Sequence, residues 1–238
     1  MKSKFVPSLV LVTIIACAMA YLEGVVMCFA CLLYFPGGFT FPLTIVPAGM
    51  RTAELLRETA TIVIFASVAI LAGRNRWERT GWFFFAFGIW DIGFYLARKI
   101  LSNWPSDLFA WDLLFLVPVV WVAPVIAPLL NACALSLFGL LLTRISVTHM
   151  NGRRKYCFII LFITGAFFSV AAYTFEYLRF IVTRIPIADL FMPGKMSSVI
   201  AANAEFIPRH FPWALFVCAL AAYAGATITL GTYRHTRR

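Results

Sequence analysis

Apolar residues run along this chain in long unbroken stretches, separated by short clusters of Lys, Arg, Pro and Gly. A helix needs about 20 predominantly apolar residues to cross the ~30 Å hydrocarbon core of a bilayer. The pattern predicts six such helices, over residues about 6–34, 51–73, 80–100, 121–143, 156–183 and 212–233. The ten-residue alternation of a transmembrane barrel is absent. The expected fold is therefore all-α: a single polytopic helical domain over 1–238.

The breaks between helices carry their own signals. Residues 36–47 form a Pro/Gly loop, from Pro36-Gly37-Gly38 to Pro47, that cannot continue a helix. From Trp111 to Thr143 the chain stays apolar for 33 residues, interrupted by Pro118, Pro124 and Pro128. As one helix it would be roughly 50 Å long, too much for a single span. It divides into an interfacial or re-entrant piece, about 107–118, and the fourth helix. The N-terminus imitates a signal peptide, with Lys2, Lys4 and an Ala18-Met19-Ala20 site. The apolar run continues through that site to Phe35, so a retained first helix is expected.

Composition agrees: the 238 residues are 62% hydrophobic and 13% charged, which excludes a water-soluble globular domain and a disordered chain. The net charge of +10 sits in clusters between the apolar runs. Such clusters orient membrane proteins, so no nucleic-acid partner is expected. With the N-terminus inside, the cytoplasmic set is Lys2, Lys4, Arg74, Arg76, Arg79, Arg144, Arg153, Arg154, Lys155, Arg234, Arg237 and Arg238, which is 12 of the 20 Lys and Arg. Both termini are expected in the cytoplasm.

The acids behave differently. On this topology Glu78 alone is cytoplasmic, and Glu23, Glu54, Glu58, Asp91, Asp107, Asp112, Glu176, Asp189 and Glu205 fall in the outer half or beyond. Helical spacing arranges several into stripes. Arg51, Glu54 and Glu58 recur at i, i+3, i+7, Asp91, Tyr95 and Arg98 at i, i+4, i+7, and Tyr173, Glu176 and Arg179 at i, i+3, i+6. A carboxylate at the centre of a span costs about 2.5–3.5 kcal/mol even on the lenient insertion scale. These groups should therefore face one another or a wet cavity. The expected site is an outward-opening crevice lined by Glu23, Glu54, Glu58, Asp91, Asp112 and Glu176 with Tyr95, its charge tuned by Arg51, Arg57, Arg98 and Arg179. The competing reading makes the same residues structural ion pairs that pin helix ends, with Arg reaching to the surface.

Other motifs carry less. Cys28-Phe29-Ala30-Cys31 is a C-x-x-C with no second cysteine pair at useful spacing. His149, His210 and His235 sit in loops or the tail, which argues against bis-histidine haem ligation in the bilayer. Ala221, Ala222, Gly225 and Ala226 form a small-residue face on the last helix, suited to close packing within the chain or against a second subunit.

Two stretches, Gly88-Ile89-Trp90-Asp91-Ile92-Gly93-Phe94-Tyr95 and Trp104-Pro105-Ser106-Asp107-Leu108-Phe109-Ala110-Trp111-Asp112 running on to Pro128, resemble motifs of a family of small multi-spanning bacterial membrane proteins. With Arg57-Glu58 the resemblance covers residues about 20–130. It implies a bacterial inner-membrane setting and no particular chemistry.

Three function classes fit. The first is a carrier or binding subunit for a cation, a proton or a polar-headed ligand, with Asp91 as central carboxylate and Glu58 as its partner. No cofactor is required, although carboxylates suit a hard divalent cation. The second is an intramembrane enzyme on a lipid or isoprenoid, in which one carboxyl donates a proton and another accepts it. The third is an accessory subunit of a larger membrane complex.

Overall fold

In a computed structural model, residues 2–35, 39–44, 47–115, 119–145, 147–186, 188, 189, 192, 194 and 196–232 are described. Pro36, Gly37, Gly38, Pro118, Arg234, His235, Arg237 and Arg238, all used above, lie outside them. Among the described residues the elements run α1 (Lys2–Tyr34), α2 (Ala48–Ala72), α3 (Arg76–Ser102), β1 (Trp111–Phe115), β2 (Trp121–Pro124), α4 (Ile126–Arg144), a 3-10 turn (Val147–His149), α5 (Gly152–Ile181), α6 (Met196–Asn203) and α7 (Trp213–Gly231). Six of these helices are long and apolar enough to cross a membrane; α6 is not. The fold class is all-α, and the chain is a multi-pass membrane protein by the length and apolarity of its helices.

Local chemistry sets the helix limits. The polar break before α3 is short because Asn75 caps the helix, accepting from the N–H of Trp77 at 2.9 Å and of Glu78 at 3.1 Å. Glu78 reaches back to accept from the Arg74 N–H at 3.0 Å. The capped turn explains why α3 begins four residues before the expected 80. Its other end closes on Asn103, whose φ of 54° is a left-handed conformation that Asn tolerates.

Small residues let the spans approach closely, and they reveal direction. A Cβ on Gly81 would meet the Gly139 carbonyl at 2.7 Å, and one on Gly88 would meet the Ala132 carbonyl at 2.4 Å. As one partner number rises the other falls, so α3 and α4 are antiparallel. Across α1 and α3, Gly24 opposes Ala97 and Gly93 opposes Ala20, which is a parallel pairing. Gly165 against Tyr223 and Gly225 against Leu161 make α5 and α7 antiparallel. The directions alternate through the six spans and bring both chain ends to one side. On that side Arg144 lies over the Phe5 ring, and Arg154 donates to the Thr232 hydroxyl at 2.7 Å. On α7, Ala222 and Ala226 are buried within the chain, so part of the small-residue face packs internally.

The Pro-rich region departs from expectation. Residues 111–115 and 121–124 pair as an antiparallel hairpin, Trp111 opposite Pro124, Asp112 opposite Ala123 and Leu113 opposite Val122. The fourth helix accordingly begins at Ile126, not near 121, and residues 111–115 of the segment about 107–118 form one arm of this hairpin. Trp111, Val119, Val120, Trp121 and Val122 favour an extended chain, and Pro124, without an N–H, ends the second strand. Backbone bonds from Val125 to the Ala110 carbonyl (3.0 Å) and from Ile126 to the Leu108 carbonyl (2.8 Å) tie the hairpin to the start of α4. Val120, Val122, Ala123 and Val125 are fully buried, and the ladder satisfies backbone groups that an irregular segment would leave without partners. The connection between α5 and α7 contains the short helix α6. The Tyr177 hydroxyl donates to Asn203 Oδ1 at 2.7 Å and holds its end.

Candidate functional site

A cavity of about 350 Å³ opens among α1, α2, α3, α5 and the hairpin. It is lined by Glu23, Glu54, Glu58, Asp91, Tyr95 and Asp112, together with Arg51, Arg57 and Arg98. Both predicted stripes on α2 and α3 therefore face one space. The third does not: Tyr173 lines the cavity, but Glu176 and Arg179 lie outside it. Glu176 Oε1 accepts from the backbone N–H of Arg209 at 2.8 Å and of His210 at 2.9 Å, fixing the entry to α7. Arg179 is exposed. Glu176 lies one turn closer to the end of α5 than Tyr173, where the chain entering α7 offers it backbone N–H groups.

Helix packing sets the depth of the acids. Glu23 stands eleven residues before Tyr34, Glu58 ten after Ala48, and Asp91 eleven before Ser102. At 1.5 Å per residue, all three lie about 15–16 Å from the hairpin end of the bundle, near the middle of a ~30 Å hydrocarbon layer. The close approach of Gly24 to Ala97 and of Ala20 to Gly93 holds α1 and α3 in this register. Three carboxyls on three helices thus share one level.

They are not equivalent. Arg57 forms an ion pair with Glu23, and its Nε donates to Glu54 Oε2 at 2.9 Å. Glu23 is 7% exposed, so this pair is substantially desolvated. Arg98, 2% exposed, lies with its guanidinium carbon 3.7 Å from the centroid of Trp104. Its Nη2 donates to Cys31 Sγ at 3.3 Å, and its Nη1 stands 3.9 Å from Asp112 Oδ1. The stronger contact of Asp112 is the Tyr95 hydroxyl, which donates to Oδ2 at 2.8 Å. Burial holds the Asp112 carboxyl, on the hairpin, up at about 6, while Arg98 and the Tyr95 hydrogen bond pull the other way.

Asp91 and Glu58 differ from these: neither has an ion pair or hydrogen bond of its own among the described residues. Beside them the wall holds buried donors without partners. The Tyr173 hydroxyl, the Nε1 groups of Trp90 and Trp121, and Arg98 Nε make no hydrogen bond among the described residues. Sequence reading named the acids, Tyr95, Arg98 and the stripe that begins at Tyr173, but missed Trp90, Trp121 and Asn131, also on the wall, which accepts from the Ser169 hydroxyl at 3.3 Å. Nothing in the spacing of the charged residues separates Trp90 or Trp121 from the other aromatic residues of the chain.

Among the described residues no three His, Cys, Asp or Glu are grouped to hold a metal ion, and all six cysteines, Cys28 and Cys31 included, are free. The cavity can bind a molecule in an apolar, aromatic setting with carboxylate acceptors at mid-depth. No protein-family model, curated protein or solved structure matches this chain.

Proposed function

We propose that this chain is a membrane-embedded binding protein or carrier for a polar-headed organic molecule, with Asp91 as the principal polar contact. One observation carries the reading. Asp91 lies about 16 Å inside the bundle, opens on a cavity of about 350 Å³ and has no partner among the described residues. A mid-membrane carboxyl held only for stability would be expected to have one, as Glu23 does. Such groups mark binding or transfer pathways. Glu58, at the same level on α2, is the second contact.

The test is Asp91→Asn. The amide keeps the shape and removes the charge, so elution behaviour and melting temperature should stay near wild type. Native mass spectrometry of protein purified from membrane extracts should show a bound adduct on wild type that is absent from the variant. An adduct retained by Asp91→Asn, or none on either protein, would overturn the reading.

The accessory-subunit reading has support of its own in the Arg57 and Arg98 contacts, which neutralise three of the five cavity acids. It leaves Asp91 and Glu58 without a purpose. An intramembrane enzyme would have to use those same two carboxyls for proton transfer.

The setting belongs to the proposal as well. We place the chain in a bacterial inner membrane with its basic end, where Arg74, Arg76, Arg79, Arg144, Arg153, Arg154 and Lys155 gather, in the cytoplasm. The end of the cavity lined by Met50, Arg51 and Glu54, near the start of α2, then lies on the outer side. A phosphatase reporter fused after Arg238 should be inactive and a fluorescent-protein fusion at the same point bright. The opposite pair of results would invert the topology.

A further inference from the structure

The charges around the cavity leave a specific remainder. The guanidinium of Arg57 is answered by Glu23 and Glu54, and that of Arg98 by Asp112 and the Trp104 face. Arg51, near the start of α2, is engaged as well. The two groups left over, Asp91 and Glu58, are both acidic, and they stand at one depth on adjacent helices. An anionic headgroup would meet two further acids, with no uncommitted cation among the described residues of the cavity to receive it.

The surroundings narrow the cation. Trp90, Phe94, Trp121 and Tyr173 give the wall aromatic faces around those carboxyls. A compact, strongly hydrated metal ion requires several oxygen ligands at once, and no group of three ligating side chains is present among the described residues. A diffuse organic cation needs no such cage. It exchanges its weakly held water for ring faces and one carboxylate, and low local polarity strengthens both contacts. A second sign of a ligand is independent of the acids: the Tyr173 hydroxyl, 5% exposed and on the same wall, has no partner among the described residues. A buried hydroxyl left unsatisfied costs about 1–3 kcal/mol, which a ligand hydroxyl or ester oxygen would offset.

We infer that the cavity is a binding site for an organic ammonium, either a free amine or quaternary amine or the ammonium headgroup of a lipid, held between Asp91, Glu58 and the Trp90–Tyr173 wall. The inference rests on the proposed binding role and adds the class of ligand. The charged nitrogen sits at the level of Asp91, with Trp90 and Tyr173 supplying ring faces, and any oxygen substituent lies toward the Tyr173 hydroxyl.

The probe is choline, with 3,3-dimethylbutan-1-ol as its uncharged analogue of the same shape. The full chain is reconstituted in phosphatidylglycerol nanodiscs at moderate salt, with empty discs as control, and binding is read by calorimetry. Choline should bind saturably and at least about tenfold more tightly than the alcohol. Asp91→Asn should weaken choline by about tenfold or more, and Glu58→Gln by several-fold, with alcohol binding unchanged. Weaker choline binding in phosphatidylcholine discs identifies the lipid headgroup as the source of the ammonium; equal binding identifies a free amine, and both support the site. Equal affinity for choline and the alcohol, no saturable choline binding, or choline affinity unaffected by both substitutions would overturn it. If Asp91→Asn does not fold, Glu58→Gln together with the choline-to-alcohol ratio on wild type decides. An Asp91-dependent mass adduct alongside failed choline binding would leave the binding role standing and remove only the ammonium assignment.

Discussion

Gly88→Ala should be among the most damaging single-methyl additions anywhere in the chain. The new Cβ would stand 2.3 Å from the Ser136 hydroxyl and 2.4 Å from the Ala132 carbonyl, and the carbonyl belongs to the backbone of α4. Relief requires α3 and α4 to separate. Overpacking of this kind costs about 1–3 kcal/mol and occasionally more, because close-packed neighbours cannot absorb the volume. Gly139→Ala should behave alike, with its Cβ 2.5 Å from both the Gly81 carbonyl and the Phe85 nitrogen. Gly49 and Gly152 provide the contrast, since a Cβ there meets nothing within 4 Å. Alanine at either should be neutral or slightly stabilising. Melting temperatures of the four purified variants in one detergent test the ranking. Near-equal values would mean that α3 and α4 do not cross at this distance. Asp91 lies three residues beyond Gly88, so any Gly88→Ala protein that folds should also lose the adduct that depends on Asp91.

That crossing shows where sequence reading stops. The six spans are legible because crossing a membrane demands long apolar runs, and six of the observed helices fall where those runs lie. Neighbour relations leave no comparable periodic trace. Gly81, Gly88 and Gly139 read in isolation only as weak points in helices, and the small residues that attracted notice were those clustered on α7. The hairpin was hidden for a related reason. In an apolar stretch buried on both faces, Val, Trp and Leu look alike whether the backbone is helical or extended. Only the length of the run and Pro118, Pro124 and Pro128 hinted that one helix could not run through.

The site was more legible than the packing, and the reason is energetic. A charged group inside a span is too costly to scatter, so the spacing of Arg51, Glu54 and Glu58, and of Asp91, Tyr95 and Arg98, identifies faces that must turn inward. The inference weakens where a helix leaves the apolar layer. Glu176 lies five residues from the end of α5, where water and loop backbone are within reach, and it serves the Arg209–His210 turn. Pairing within the cavity was not legible either. Sequence spacing puts Asp91 and Arg98 on one face of α3, yet Arg98 is drawn to Asp112 on the hairpin and to Trp104 beyond the helix end. This partition leaves Asp91 without an ion pair.

The Arg98–Asp112 contact should reveal itself through pH. Arg98→Met preserves most of the side-chain volume and removes the charge, leaving Asp112, 4% exposed, with the Tyr95 hydroxyl and the Leu113 N–H as its partners among the described residues. In the wild-type fold burial already holds the Asp112 carboxyl up at about 6, above the ~3.9 expected of an unfolded chain. A folded value above the unfolded one means that the native state binds the proton more tightly. The contribution of Asp112 therefore declines as pH rises from about 4 and levels off once the folded value is passed. For wild type that plateau begins near pH 6. Removing Arg98 raises the folded value further, so the decline continues to higher pH. The deficit of Arg98→Met relative to wild type should widen above pH 6, by at most about 1.4 kcal/mol per pH unit, until the variant's own folded value is passed. Loss of the Trp104 and Cys31 contacts adds a cost that does not change with pH. Adding Asp112→Asn should abolish the pH-dependent part, because the amide does not titrate. Unfolding of wild type, both single variants and the double variant at pH 6 and pH 8 isolates the coupling. An Arg98→Met deficit that is identical at the two pH values would mean that Trp104 and Cys31, not Asp112, are what Arg98 is held for.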